Sequence, residues 1–299
     1  MVIVNGKTKL AEEIVELIEN RYPEAKNARL IEEPNQPEAA TAKRAEAEYR
    51  YFESLFFRNF NSEEITQETV QEVIEELESG NFLKLDGGIA ISALLNLSSE
   101  ENIEIEVKRP WNYLGMYNQK NIDIEGNVGN FLGKNMHKGK ISVNGNAEHY
   151  VGERMEGGRI VVNGKVEYCA GRCMLGGELW VEGDAGWNLG ISMKGGIVVV
   201  DGDAGDGIAR NMMGGKIWVK NLRMEKLSHE IGIGSIYRGL PGEDSEPIRV
   251  FEILKKSKHG YVFFYFDKRK EKGNFPDRAI DVLIEVFEAY NSLQTSEGE

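Results

Sequence analysis

The chain has 299 residues, 41% of them hydrophobic, with 36 Lys and Arg against 49 Asp and Glu and a formal net charge of −13. That charge opposes a phosphate backbone or an anionic lipid surface, so neither a nucleic acid nor a membrane is an expected partner. No apolar run approaches the roughly 20 residues of a membrane helix, the N-terminus MVIVNGKTKLAEE lacks the basic-then-apolar order of a signal peptide, and a cytoplasmic location is expected.

Residues 1–100 read as a helical N-terminal region. Helical periodicity runs over 8–21 (TKLAEEIVELIENR), 38–59 and 63–79, with Ser62 and Thr66 as start signals and Gly80 as a stop. The segment EEPNQPEAAT, 32–41, reads as a linker.

From residue 101 to 222 the sequence repeats itself. Gly126, Gly145, Gly164, Gly183 and Gly202 stand 19 residues apart, and the columns behind them stay in step: Met136, Met155, Met174, Met193 and Met212, then Gly139, Gly158, Gly177, Gly196 and Gly215. Each unit ends in two apolar residues separated by one, in the pairs Ile141/Val143, Ile160/Val162, Leu179/Val181, Val198/Val200 and Ile217/Val219, and Ile103/Ile105 and Ile122/Ile124 extend the series upstream. Alternation of this kind is what a β-strand with one buried face presents. A 19-residue unit is too short for two packed helices, and each of its glycines would cost a helix about 1 kcal/mol relative to alanine. The expected fold is mostly β, a right-handed parallel β-helix of about seven 19-residue coils, with an α-helical N-terminal region before it and a small α/β C-terminal region, 223–299, behind it. The methionines and the Val/Ile pairs are expected to point inward, each stacking on its equivalents in neighbouring coils. GDGIAR, 205–210, sits inside a repeat unit with no helical pattern after it, so the reading as a dinucleotide fingerprint fails on context.

Within the C-terminal region, IRVFEIL (248–254) and GYVFFYF (260–266) read as strands, followed by a helix from about Pro276 to Leu293. The open ends of a β-helix need covers, and the N-terminal helices and these C-terminal elements are the expected ones.

The unit G-D/N-A-G-x-x-x-G-x-x-M-x-G-G-x-I-x-V-x resembles the GXGXG family, the parallel β-helix at the C-terminal end of the glutamate synthase large subunit and in the third subunit of formylmethanofuran dehydrogenase. A related protein occurs in bacterial formyltransferase/hydrolase complexes. The strict period and the methionine column are more similar to the formylmethanofuran dehydrogenase branch. The resemblance covers roughly residues 100–222 and implies a non-catalytic scaffold subunit or domain of a multisubunit oxidoreductase or one-carbon enzyme, with other protein subunits or further copies of itself as partners. A glutamate synthase-like subunit, or a free-standing ligand-binding protein whose function lies in the flanks, is the alternative. No catalytic residue carries over.

No cofactor or metal is expected on this chain. Two cysteines, Cys169 and Cys173, and four scattered histidines cannot supply an iron–sulfur or structural zinc site of the usual kind. The spacing CAGRC is open to a redox reading, although two small buried side chains on one coil are the simpler one. Departures from the repeat are Glu148 and Glu167 at the second corner glycine, Ala209 at the third and Lys138 at the first glycine of the GG pair. The column between the inward pairs points outward and reads Asp123, Ser142, Val161, Trp180, Val199 and Trp218. Its apolar part, Val161, Trp180, Val199 and Trp218, is a candidate partner-binding stripe unless the flanks cover it. Arg154, Arg172 and Arg210, on corners beside Tyr150, Tyr168 and Trp187, are candidate anion-binding residues.

Overall fold

The computed structural model describes residues 3–4, 7–21, 38–80, 84–223, 226–228, 234–241, 248–256 and 262–265. A short ribbon of β1 (Ile3–Val4) and β2 (Lys7–Thr8) leads into helices α1 (Lys9–Arg21), α2 (Glu38–Asn59), α3 (Gln67–Ser79) and α4 (Lys84–Leu97). Strands β3 (Asn102–Glu106), β4 (Asn121–Glu125), β5 (Lys140–Asn144), β6 (Arg159–Val162), β7 (Glu178–Val181), β8 (Ile197–Val200) and β9 (Lys216–Val219) follow. Then come β10 (Ser235–Arg238), β11 (Ile248–Lys256) and β12 (Val262–Tyr265). The expected linker begins outside the described residues and overlaps the start of α2, which opens at Glu38. The expected helix over 276–293 lies outside them.

The fold is the expected parallel β-helix, and it is one coil longer than the repeat count. β3 to β10 stack in parallel, with each residue opposite the one 19 positions on: Ile103, Ile122, Ile141, Ile160, Leu179, Val198, Ile217 and Ile236 form one column. The eighth strand is legible in GSIY, 234–237, which repeats GKIW, 215–218, at the same period. Seven steps of strand spacing give a rod about 34 Å long. We number the coils 1 to 8 by these strands. The inward pairs of coils 1 to 7 are all buried.

All five column methionines are buried as expected, but the contact that defines them is with glycine. A Cβ at Gly158 would lie 2.6 Å from the ε-methyl of Met136, and Gly177, Gly196, Gly215 and Gly234 stand in the same relation to Met155, Met174, Met193 and Met212, at 2.7, 2.9, 2.7 and 2.6 Å. Each methionine therefore fills the place a side chain would need one coil further on. The glycine is required twice over, because Gly158 and Gly177 also have φ of 81° and 79°, in the left-handed region.

Opposite the strands, the backbone follows a zigzag that the sequence does not announce. Phe131, Gly133 and Asn135 have φ of 65°, 64° and 54°, and the pattern recurs at 150/152/154, 169/171/173, 188/190/192 and 207/209/211; in coil 1 it stands at Tyr113, Gly115 and Tyr117. A left-handed residue costs a non-glycine side chain about 1–2 kcal/mol, so the inter-coil hydrogen bonds must hold it. They run both ways: the amides of Tyr150 and Arg154 donate to the carbonyls of Tyr168 and Arg172 in the next coil, at 2.9 and 3.0 Å, and Gly152 donates back to Leu132 at 2.9 Å.

At the N-terminal end the open edge of β3 meets α3. Gln67 and Gln71 lie one helical turn apart, a rise of about 6 Å, close to the roughly 6.7 Å between alternate strand residues. Their side-chain oxygens accept the amides of Glu104 and Glu106 at 2.9 Å each, and Gln71 Nε2 donates to the Glu106 carbonyl at 3.2 Å. Glu78 Oε1 continues the series by accepting the amides of Lys108 and Arg109, at 2.8 and 3.0 Å. Helix α4 is hidden in the sequence because it is apolar around its circumference and carries Gly87 and Gly88. A Cβ at Gly87 would enter the Trp111 ring and one at Gly88 the Asn112 carbonyl, so this helix is seated against coil 1 through its glycines. Ser92 Oγ and Asn96 Nδ2 donate to the carbonyls of Tyr113 and Met116, at 2.9 and 3.2 Å. At the other end β11 pairs antiparallel with β10, and β12 with β11.

Two outcomes test this packing. Gly177→Ala and Met155→Ala should each destabilise the chain, the latter by about 2–5 kcal/mol, yet the double variant should cost at least about 1 kcal/mol less than their sum; an additive cycle in denaturant titrations would refute the interlock. Gln67→Leu with Gln71→Leu keeps helix propensity while stripping the strand edge, and should lower stability by about 0.5–1.5 kcal/mol per lost bond and promote self-association in sedimentation. An unchanged midpoint with an unchanged monodisperse profile would argue against the edge cap.

Candidate functional site

Three places hold the residues singled out in the sequence. Val161, Trp180 and Val199 of the outward stripe line a cavity of about 350 Å³ together with Arg159, Val181, Glu182, Asp201 and Leu240. Val199 is 1% exposed and Trp218 8%, while Val161 and Trp180 are half-buried. The chain itself contributes to the cover: Tyr237 of coil 8 continues the column and stacks on Trp218 with ring centroids 4.1 Å apart and planes 11° from parallel. Trp180 is held at its edge, its Nε1 donating to Glu178 at 3.3 Å under the guanidinium of Arg159, 5.3 Å from the ring centroid.

The arginines occupy two adjacent columns of the corner. Arg172 and Arg210 share one column two coils apart, with Ile191 between them, and Arg154 belongs to the neighbouring column. Arg154 and Arg172 are joined by the main-chain bond already described. The guanidinium of Arg172 lies over the Tyr150 ring, 5.3 Å from its centroid. Tyr150 is itself the end of a stack with Phe131 and Tyr113, at 4.7 and 4.6 Å, and a second stack joins His149, Tyr168 and Trp187 at 4.6 and 5.6 Å. Cys169 and Cys173 are half-buried at the two ends of the coil 4 zigzag and form no disulfide, rather than the buried pair expected.

The repeat departures Glu148 and Glu167 line a second cleft, of about 360 Å³, with Lys108, Asn127 and Asn146. Lys165 pairs with Glu167 at 3.0 Å. Among the described residues no group of three or more His, Cys, Asp or Glu could hold a metal ion, and no helix is long and apolar enough to cross a membrane.

One cluster escapes a reading of the sequence. Lys134 of coil 2 is 0% exposed, and its Nζ donates to Oε1 of Glu153, the equivalent position in coil 3, at 2.9 Å. The ammonium also lies 5.4 Å from the Phe131 ring centroid. Beside this pair, Glu153 Oε2 and the Tyr113 hydroxyl are buried without hydrogen-bond partners. Burial raises the ionisation of Tyr113 well above the ordinary tyrosine range, and the carboxylates of Glu153 and Glu46 raise it further. Tyr117 is raised by burial and then by Glu46, which brings α2 up to the same corner; Tyr49 of α2 packs on the Tyr117 ring at 4.8 Å. Nothing in the column marks the pair as buried, since Arg172 and Arg210 at the same position are partly or fully exposed. Glu153→Ala should cost about 3–5 kcal/mol by leaving a buried ammonium unpaired, whereas Lys134→Met with Glu153→Leu should recover most of that loss. A neutral Glu153→Ala in chemical denaturation would show the pair to be solvated.

The comparison with known families agrees with this architecture. The profile described as the GXGXG motif matches residues 68–237, from the first turn of α3 through β10, so it takes in the edge-capping helix and the eighth coil as well as the regular repeats. No curated protein matches the chain. With more than half of the sequence matched and every repeat column accounted for in the stacked coils, the chain belongs to the GXGXG motif family.

Proposed function

We propose that this chain is a non-catalytic scaffold subunit of a multisubunit enzyme. The observation that carries the reading is the continuous ladder of eight parallel strands in which the repeat positions are committed to packing or to coil-to-coil hydrogen bonds. Such a rod holds attached parts at fixed separations, because neighbouring coils interlock through methionine and glycine and cannot slide by less than a whole coil. Its best-buried ionic pair, Lys134 and Glu153, joins two coils of the chain itself. The regularity of the 19-residue unit and its methionine column, similar to the β-helical subunit of formylmethanofuran dehydrogenase, supports a one-carbon oxidoreductase as the parent assembly; the likeness to glutamate synthase supports the second choice. In either case the chain brings no cofactor, and the partners are other protein subunits.

Isolation of the tagged full-length chain from its native source, followed by native mass spectrometry, should recover a stoichiometric complex with at least one other polypeptide. Metal analysis and an absorption spectrum of the chain alone should show no iron and no flavin band. A chain recovered alone, or one carrying its own chromophore, would overturn the scaffold reading.

A further inference from the structure

The outward stripe is covered at one end and open at the other. Val199 and Trp218, in coils 6 and 7, are 1% and 8% exposed although their column faces away from the inward pairs. Val161 and Trp180, in coils 4 and 5, are only half-buried, beside the cavity of about 350 Å³. Among the described residues the cover comes from the C-terminal side of the rod: Tyr237 stacks on Trp218, and Leu240 lines the cavity with Val199. The open part of the groove therefore continues a contact that the chain already makes with itself.

The sequence after β12 supplies a segment of matching character. At 3.6 residues per turn, 276–293 would carry Val282, Leu283, Val286, Phe287, Tyr290 and Leu293 on one side and Asp277, Asp281, Glu285 and Glu288 on the other. A segment so divided is stable as a helix only with its apolar side packed. The lengths agree as well. A helix over 280–293 rises about 20 Å, and the stripe from Val161 to Tyr237 covers four strand spacings, about 19 Å. In the sheet, β12 is the second strand beyond β10, about 10 Å from it, and the connecting residues 266–275 can reach up to about 33 Å.

We propose that residues 276–293 form an amphipathic helix that lies along the strand face of the same chain, its apolar side over Val161, Trp180 and Val199 and its carboxylates towards solvent. Tethering favours this occupant over a helix from a second copy or from another protein, because a segment on a short linker is present at an effective concentration on the order of millimolar. The contact lies within one chain and does not depend on the scaffold role. With the stripe covered in this way, partner subunits bind elsewhere on the rod.

The test uses the full-length chain in its native host with a photoreactive residue on the stripe, Trp180→p-benzoylphenylalanine or, in a second variant, Val161→p-benzoylphenylalanine. Trp187→p-benzoylphenylalanine, 57% exposed beside the zigzag, is the control. Irradiation should link a stripe position to a peptide from 276–293, in a species that migrates as a monomer under denaturing conditions, while position 187 leaves that peptide unlabelled. Val286→Asp with Tyr290→Asp should lower the yield of the link at least tenfold. A folded chain in which neither stripe position labels 276–293 of its own molecule overturns the proposal, whether the label falls on a second copy, another subunit, another segment or nothing. A link that survives the double substitution overturns it as well, and either result leaves the scaffold reading standing.

Discussion

The fold depends on the fixed separation of stacked backbones. Once strands lie about 4.8 Å apart, every side chain on the rod has its own equivalent as its nearest neighbour along the axis, and a column tolerates only what can stand against a copy of itself. Val, Ile and Leu do so in the strand interior, and aromatic rings do so at the corner, where Tyr113, Phe131 and Tyr150 lie nearly parallel. At exposed strand positions opposite charges pair across one coil at Arg159 and Glu178 and at Asp201 and Lys220, while like charges face each other where solvent screens them, as at Lys140 and Arg159 and at Glu106 and Glu125. The same rule explains Lys134 and Glu153. A buried cation is tolerable in coil 2 because coil 3 offers a carboxylate at the identical position.

How much of this can be read in advance follows from which interactions are periodic. The strands, their inward pairs and the methionine burial are all legible, because a 19-residue echo reports a contact between equivalents. The role of the methionine is not, because its partner glycine belongs to a different column and periodicity cannot say which column touches which. The zigzag is hidden for another reason. At its outer positions it mostly places Tyr, Phe, Arg, Cys, Asn and Ser in the left-handed region, so the usual signal of glycine is concentrated at the middle position, where Gly133 leaves room for Ile160 of a neighbouring strand, and even this is reversed in coil 6, with Gly207 outside and Ala209 in the middle. Helix α4 is obscured by its glycines, and the eighth coil by the loss of the methionine and corner-glycine columns beyond coil 6, which leaves only the short echo GSIY. The burial of Lys134 and Glu153 is visible only as two separate residues, since which corner positions are covered is a fact of tertiary structure.

The two ends of the rod solve one problem in different ways. An open parallel edge invites further strands, and at β3 the invitation is answered by side chains: two glutamines and a glutamate from a helix take the hydrogen-bonding positions of an absent strand. At β10 the sheet instead reverses direction, with β11 and β12 added antiparallel. The first solution needs a match between helical and strand rise, available for only a few residues, and the five residues of β3 fall within that reach.

The interlock between methionine and glycine points one way along the axis, and this gives the rod a temporal order as well as a spatial one. Each of coils 2 to 6 ends by offering a methyl group, and the glycine that receives it arrives in the stretch of chain synthesised next. A nascent polypeptide can therefore complete its contacts in the order in which they emerge, each closing a loop of little more than one repeat, on a base that α3 and α4 have already sealed. Chains that reward local contacts early fold quickly and expose unfinished edges only briefly. Growth from the sealed end keeps a single incomplete coil at the tip throughout, and a chain interrupted between coils would still present a finished surface below its last methionine.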